Sequence, residues 1–177
     1  MANRAVFLDR DGTMNKDVPY CRRPEDFELF PTTARAIRRL NESGYKVIVI
    51  TNQSGVARGY FTKATLGRIH QKMLSQLAEE GARVDDIYYC PHHPDDNCEC
   101  RKPKPKMVQQ AVKKHDIDLQ QSFMVGDKSL DIQLGKNAGC RTVLVPSDPG
   151  EADAQPCSPD YTAADLYQAA LWIIEQK

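Results

Sequence analysis

At 177 residues, of which 41% are hydrophobic, the chain fits one domain of ordinary size with a real core. Lys plus Arg and Asp plus Glu number 24 each, so the formal net charge is zero, which argues against a nucleic-acid or membrane-surface partner. No apolar run approaches the ~20 residues that span a bilayer, and a strand followed by charges opens the chain where a signal peptide would be apolar. A cytoplasmic protein is expected.

The short apolar run Ala5-Val6-Phe7-Leu8 reads as a buried strand. Asp9 and Asp11 stand where it ends, and Gly12 lets the backbone turn away. Residues 12 to 30, with Pro19, Pro24 and many charges, are long for a connector and read as a functional loop or flap. Pro31 and the threonines after it start a helix through about Asn41, with Ala34, Ile37 and Leu40 at helical spacing and Gly44 closing it. The β-branched run Lys46 to Ile50 reads as a strand buried on both faces, ending at Thr51-Asn52-Gln53-Ser54-Gly55. A loop with Gly55 and Gly59 then leads to an amphipathic helix whose apolar face is Leu66, Ile69, Met73, Leu74 and Leu77, closed by Gly81.

Asp86 to Tyr89 is a short strand that runs into a cysteine and histidine window. Pro103 and Pro105 bracket the start of a helix carrying Val108, Ala111 and Val112. Ser122 to Val125 is a fourth strand, ending at Gly126-Asp127, and the helix after it runs through Ala138 with Gly139 as its cap. Thr142 to Val145 is a fifth strand, and Pro146 to Pro159 reads as a surface loop. Thr162 with Asp165 suggests a capping box for a last helix bearing Leu166, Ala170, Ile173 and Ile174. The alternation βαβαβαβαβα implies an α/β fold: a single Rossmann-like three-layer domain over residues 1–177, with a parallel sheet and helices on both faces.

Ligands in such a sheet bind beyond the carboxyl ends of the strands. Four strand ends supply Asp9 and Asp11, then Thr51 and Asn52, then Arg101 and Lys102, then Asp127 with Lys128. Three carboxylates around one cavity repel each other unless a cation sits among them, and hard oxygen donors suit Mg²⁺. A bidentate Arg and a point-charge Lys beside such an ion suit a phosphate. Each residue alone has a plainer reading, as a turn former, a cap or a solvated charge. All four kinds at corresponding strand ends of one chain favour phosphoryl transfer. Asp131, one helical turn beyond Asp127, reads as an outer support or a plain exposed helix position.

Cys90-Pro91-His92 and Cys98-Glu99-Cys100 form two close donor pairs, a spacing that suits tetrahedral Zn²⁺. Four protein ligands leave no open position, so the zinc is expected to staple a loop, residues 90–100, inserted after the third strand. His92 is preferred to His93 because it mirrors the Cys-x-Cys spacing. The loop delivers Arg101 and Lys102 directly after its last ligand. Cys21, Cys140 and Cys157 have no such partners and read as packing or surface residues.

Asp9-Arg10-Asp11-Gly12-Thr13, Thr51, Lys102 and Gly126-Asp127 together resemble the four motifs of the haloacid dehalogenase-like phosphatases, over residues 5 to about 145. The resemblance implies Asp9 as nucleophile and Asp11 as acid and then base. It implies Mg²⁺ held by Asp9, the Asp11 backbone carbonyl and Asp127, with Thr51 and Lys102 holding the transferring phosphoryl group. A capless domain with a zinc loop resembles two close groups, the D-glycero-D-manno-heptose-1,7-bisphosphate 7-phosphatases and the histidinol-phosphate phosphatases. The run Thr51 to Phe61, and Val18-Pro19-Tyr20 ahead of Arg23 to Phe27, look like the first group; the short spacing from His92 to Cys98 is closer to the second. By the first resemblance a small phosphorylated sugar would meet Asp17, Val18, Pro19, Tyr20, Thr51, Asn52, Gln53, Ser54, Arg101, Lys102 and Lys128. A monomer is expected. A nucleic-acid 3′-phosphatase is disfavoured by the neutral charge, and a non-catalytic zinc-stapled binding module by the intact carboxylates.

Overall fold

The computed structural model describes residues 2–147 and 156–176. The chain order of its regular elements follows from the pattern above. Strand β1 (Arg4–Leu8) leads by way of α1 (Thr33–Glu42) to β2 (Tyr45–Asn52), and α2 (Lys63–Glu79) leads to β3 (Asp86–Cys90). Then come α3 (Lys106–His115), β4 (Phe123–Gly126), α4 (Ser129–Ala138), β5 (Arg141–Leu144), a two-residue β6 (Tyr161–Thr162) and α5 (Leu166–Glu175). The strands pair in the order β3-β2-β1-β4-β5-β6, and every pair is parallel.

The central position of β1 follows from its side chains. Val6 and Leu8 point to one face and Ala5 and Phe7 to the other, and all four are fully buried. Val6 and Leu8 join the layer with Ile37 and Leu40 of α1, Ile69 and Met73 of α2 and Ile173 of α5. Ala5 and Phe7 join the opposite layer with Val108 of α3 and Leu134 of α4. Burial of each large apolar side chain contributes roughly 1.5–3 kcal/mol, so a strand apolar on both faces is stable only between two helical layers. Because β1 lies between β2 and β4, the strand order reverses there, and the crevice at that switch point opens between the ends of β1 and β4.

Two expectations are corrected in detail. Leu74 is 39% exposed; it lies one step round α2 from Met73, and His70 takes the inward place beside Ile69. Thr162 does not cap the last helix; it pairs with Leu144 in β6, and Asp165 is itself the N-cap, accepting from the Gln168 N–H at 2.8 Å. The stretch 12–30, read as a functional loop, packs against the domain: Met14, Cys21 and Phe27 are buried, and Lys72 of α2 donates to the Pro24 and Phe27 carbonyls. Of the expected surface loop from Pro146 to Pro159, residues 148–155 lie outside the described residues. No helix among the described residues is long and apolar enough to cross a membrane.

Candidate functional site

The backbone turns away from β1 immediately after Asp9, whose N–H donates to the Val125 carbonyl of β4 at 3.0 Å. That bond joins the two strands at the switch point and brings Asp9 beside Asp127. Gly12 makes the approach possible in two ways. Its φ is 85°, a region costly for other residues, and a Cβ there would run into the Asp127 carboxylate. Gly126 serves the same purpose at the end of β4, since a Cβ would overlap the Asp131 side chain.

Carboxylate oxygens of Asp9, Asp127 and Asp131 lie within 4.8 Å of one another, and their residues are 7%, 8% and 1% exposed. Asp131 is therefore neither exposed nor remote. The first turn of α4 folds it back over the end of β4, a return that four residues of helix impose. Lys102 Nζ bridges two of the acids, 2.8 Å from Asp9 Oδ1 and 2.7 Å from Asp131 Oδ1, and donates to the Ile50 carbonyl at 3.2 Å. Burial alone would lower Lys102, but the charges of Asp131 and Asp9 outweigh it and hold the ammonium well above its usual range. Asp127 is pushed up to about 7, by burial first and then by Asp9 and Asp131, which outweigh the neighbouring Lys128 charge. Thr13 and Ser147 hydroxyls approach it at 3.3 Å each. Three buried acids with one buried lysine leave an excess of negative charge lined by hard oxygens. A divalent cation such as Mg²⁺ fits that donor set.

Asp11 stands apart from this cluster. The Arg10 guanidinium grips its carboxylate with Nη2 at 2.8 and 2.9 Å and Nε at 3.1 Å. Asn15 Nδ2 donates to it at 2.9 Å and Gln53 Nε2 at 2.8 Å. Burial raises its pKa, but Arg10 and the amide donors more than offset that and leave it below the usual carboxylate range. Gln53 also donates to Thr51 Oγ1 at 2.9 Å, so one amide ties together the two residues that flank the Asp9 carboxylate in the motif pattern.

A cavity of about 360 Å³ opens over Asp9, Thr51, Lys102 and Asp131, walled by residues 17–21 of the packed loop, by residues 52–55, and by Arg101, Lys128 and Leu130. All eleven residues expected to meet a substrate line it. Asp17 and Lys128 form an ion pair across its rim at 3.2 Å. Arg101 Nη1 and Asn52 Nδ2 are buried without a partner among the described residues, and such donors call for an acceptor from a ligand.

At the end of β3 the second cluster gathers Cys90, His92, Cys98 and Cys100, with donor atoms within 4.8 Å of one another. The Sγ atoms are 3.1 to 3.6 Å apart, too far for disulfides and close to the ~3.8 Å edge of a Zn–thiolate tetrahedron. His92 Nδ1 stands 3.2 Å from Cys100 Sγ. His93 turns away to cap the single helical turn Pro94–Asp96, accepting from the Asp95 N–H. Burial, then Cys100, pushes the Cys90 thiol up to about 12, so a cation is needed to hold Cys90 as a thiolate. The four donors fit zinc. Lys104 fastens the loop further by donating to the Asn97 and Cys98 carbonyls.

The sequence reading did not anticipate the roles of Arg10, Asn15 and His70, or the inward turn of Asp131. Only Asp131 carried a signal, its one-turn spacing from Asp127. The others are decided by long-range packing.

Known proteins resemble this arrangement along the whole chain. The HAD-hydrolase-like family model matches residues 99–169. The D-glycero-beta-D-manno-heptose-1,7-bisphosphate 7-phosphatase of Helicobacter pylori is 44% identical over 144 residues, covering 81% of this chain and 83% of its own. The D-glycero-D-manno-heptose-1,7-bisphosphate 7-phosphatase of Thermosynechococcus vestitus is 41% identical and covers 98% of this chain and 96% of its own. Among solved structures, the D,D-heptose 1,7-bisphosphate phosphatase of B. bronchiseptica complexed with magnesium and phosphate is 39% identical. It superposes with a TM-score of 0.91 over 98% of this chain and 99% of its own.

Proposed function

We propose a substrate and a division of labour for a chain that belongs to the haloacid dehalogenase-like phosphatases: it removes the 7-phosphate of D-glycero-D-manno-heptose 1,7-bisphosphate. The observation that carries this reading is one cavity lined by three cationic residues, Lys102, Arg101 and Lys128. Lys102 Nζ is 2.8 Å from Asp9 Oδ1, which leaves Arg101 and Lys128 for the rest of the substrate. A sugar with two phosphates calls for cations beyond the one at the reacting group. Asp17, which would have met the amine of histidinol phosphate, is engaged by Lys128.

In the proposed reaction an Asp9 oxygen attacks phosphorus as the bond from phosphorus to the sugar oxygen breaks. The carboxylic acid form of Asp11 gives its proton to the departing oxygen, so the sugar leaves as an alcohol and Asp9 becomes an aspartyl phosphate. The Asp11 carboxylate then takes a proton from water as the water oxygen attacks phosphorus, which releases phosphate and restores Asp9. Thr51 and Lys102 hold the phosphoryl oxygens, where fixed charge is most effective. Mg²⁺, held by Asp9, the Asp11 carbonyl and Asp127, would neutralise charge on the phosphoryl group. Asp131 sets the place of Lys102. Arg10 keeps Asp11 Oδ1 through Nε and Nη2, so Oδ2 is the oxygen that carries the proton and exchanges its bond to Nη2 for one to the substrate oxygen.

Zinc on Cys90, His92, Cys98 and Cys100 would hold the loop that presents Arg101 and Lys102. Thiolate ligands support a reducing compartment, the cytoplasm. A monomer is the assembly proposed with this reading. The test is phosphate release in Mg²⁺ from both anomers of the heptose bisphosphate, from histidinol phosphate and from a 3′-phosphorylated oligonucleotide. The heptose bisphosphate should show much the highest kcat/KM. Preference for histidinol phosphate would overturn the assignment.

A further inference from the structure

We propose that His70 is a positioning residue for phosphoryl transfer: by accepting a hydrogen bond from Arg10 it fixes the guanidinium that holds Asp11. The inference rests on the reading of Asp11 as the group that protonates the leaving oxygen.

Arg10 has no exposed surface. Its Nε and Nη2 are spent on the Asp11 carboxylate. Nη1 remains, and His70 Nε2 lies 3.2 Å from it. A guanidinium cannot accept a hydrogen bond, so Nε2 must be the acceptor and the ring proton must sit on Nδ1. Burial, reinforced by the Arg10 charge, pulls His70 down to about 4 and keeps the ring neutral at working pH. The ring itself is well fixed. It projects from the buried face of α2 between Ile69 and Met73 and meets Tyr89 of β3 edge-on at 6.1 Å.

A continuous chain of contacts therefore runs from the α2 core face through His70 and Arg10 to Asp11. The fork is planar, so its orientation dictates that of the carboxylate. If His70 could not accept, Nη1 would be buried without a partner. The fork would then rotate or water would enter, and either change shifts Asp11. Packing alone does not call for an imidazole here, since the other inward positions of α2 are Leu66, Ile69, Met73 and Leu77.

Leaving-group dependence separates positioning from general structural damage. A p-nitrophenolate departs without needing a proton, whereas a sugar alkoxide needs one. The quantity to compare is kcat/KM, which reports steps only through transfer to Asp9 and is blind to later hydrolysis. The full-length protein with Mg²⁺ and zinc is assayed on p-nitrophenyl phosphate and on the heptose bisphosphate. Asp11→Asn should lose about 10²-fold or more on the sugar phosphate and far less on the aryl phosphate. His70→Phe should lose about tenfold on the sugar phosphate and less than about twofold on the aryl phosphate. His70→Gln, whose amide oxygen can take the Nε2 place, should recover most of the loss. His70→Asn, too short to reach Nη1, should behave as His70→Phe and serves as the second variant should the phenylalanine not fold. Equal losses on both substrates, or undiminished activity, for the non-accepting variants would overturn the proposal while leaving Asp11 as the acid. Absence of discrimination in Asp11→Asn would instead sink the reading of Asp11 on which it rests.

Discussion

The carboxylate cluster and the thiol cluster both stand beyond strand ends of one sheet, yet they differ in every physical respect that matters. Asp9, Asp127 and Asp131 are nearly sealed from solvent and balanced by one buried lysine, and Asp9 and Asp131 line a cavity. Cys98, Cys100 and His92 are partly or largely exposed and close on each other. The first set has excess charge and free coordination space, as catalysis requires. The second could satisfy a metal with protein donors alone, as structural zinc requires. The difference teaches that donor type and openness, rather than the presence of a ligand set, separate a reaction centre from a staple.

The largest break in that comparison should come from Asp9→Asn. Removing the nucleophile should lower kcat/KM by about four orders of magnitude or more, with the melting temperature little changed, because the neutral amide relieves repulsion in the cluster. Phosphate release and a thermal melt check both halves, and near-normal turnover would eliminate Asp9 as the attacking group.

A smaller effect should follow from Cys100→Ser in the staple. Zinc content should fall from about one equivalent toward zero, and kcat/KM by about tenfold, the usual size for a group that supports others. The loss would come through Arg101 and Lys102, which follow Cys100 directly in the chain. Full activity without zinc would detach the loop from catalysis.

The smallest and most discriminating effect concerns pH. Asp127 is pushed up to about 7 when no cation is bound, so below that pH a proton occupies an oxygen that Mg²⁺ needs. The apparent Mg²⁺ affinity should rise several-fold from pH 6 to pH 8. The sign for stability runs the other way. The folded state holds this proton more tightly than the unfolded chain, so the Asp127 contribution to the stability of Mg²⁺-free protein should grow as pH falls from about 7 toward 4; His70, held down to about 4, works in the opposite direction, so the Asp127 contribution is read as the difference from Asp127→Asn. Calorimetric titration of dialysed protein and melts across the same range provide the check, and an affinity independent of pH would contradict the charge imbalance inferred for the site.

The zinc window shows how much is legible in a sequence when donors are close along the chain. Cys90, His92, Cys98 and Cys100 lie within eleven residues, so local spacing already brings them near each other. His92 stands by the thiols and His93 caps a turn because adjacent residues on an extended segment face opposite ways. The motif acids were legible for a related reason: each follows an apolar run, and a parallel sheet gathers all strand ends on one edge.

What the chain by itself determined was the order of strands and helices, the two ligand chemistries and the cavity wall. Each depends on patterns within about ten residues or on the general rule for strand ends. Tertiary structure alone decided how the charges pair. Lys102 meets Asp131 from another helix, Gln53 turns to Asp11 and Thr51, and His70 reaches Arg10 across sixty residues of sequence. Such partners are chosen by burial, because a charged or polar group removed from water must find whatever complementary group the packed core brings within reach.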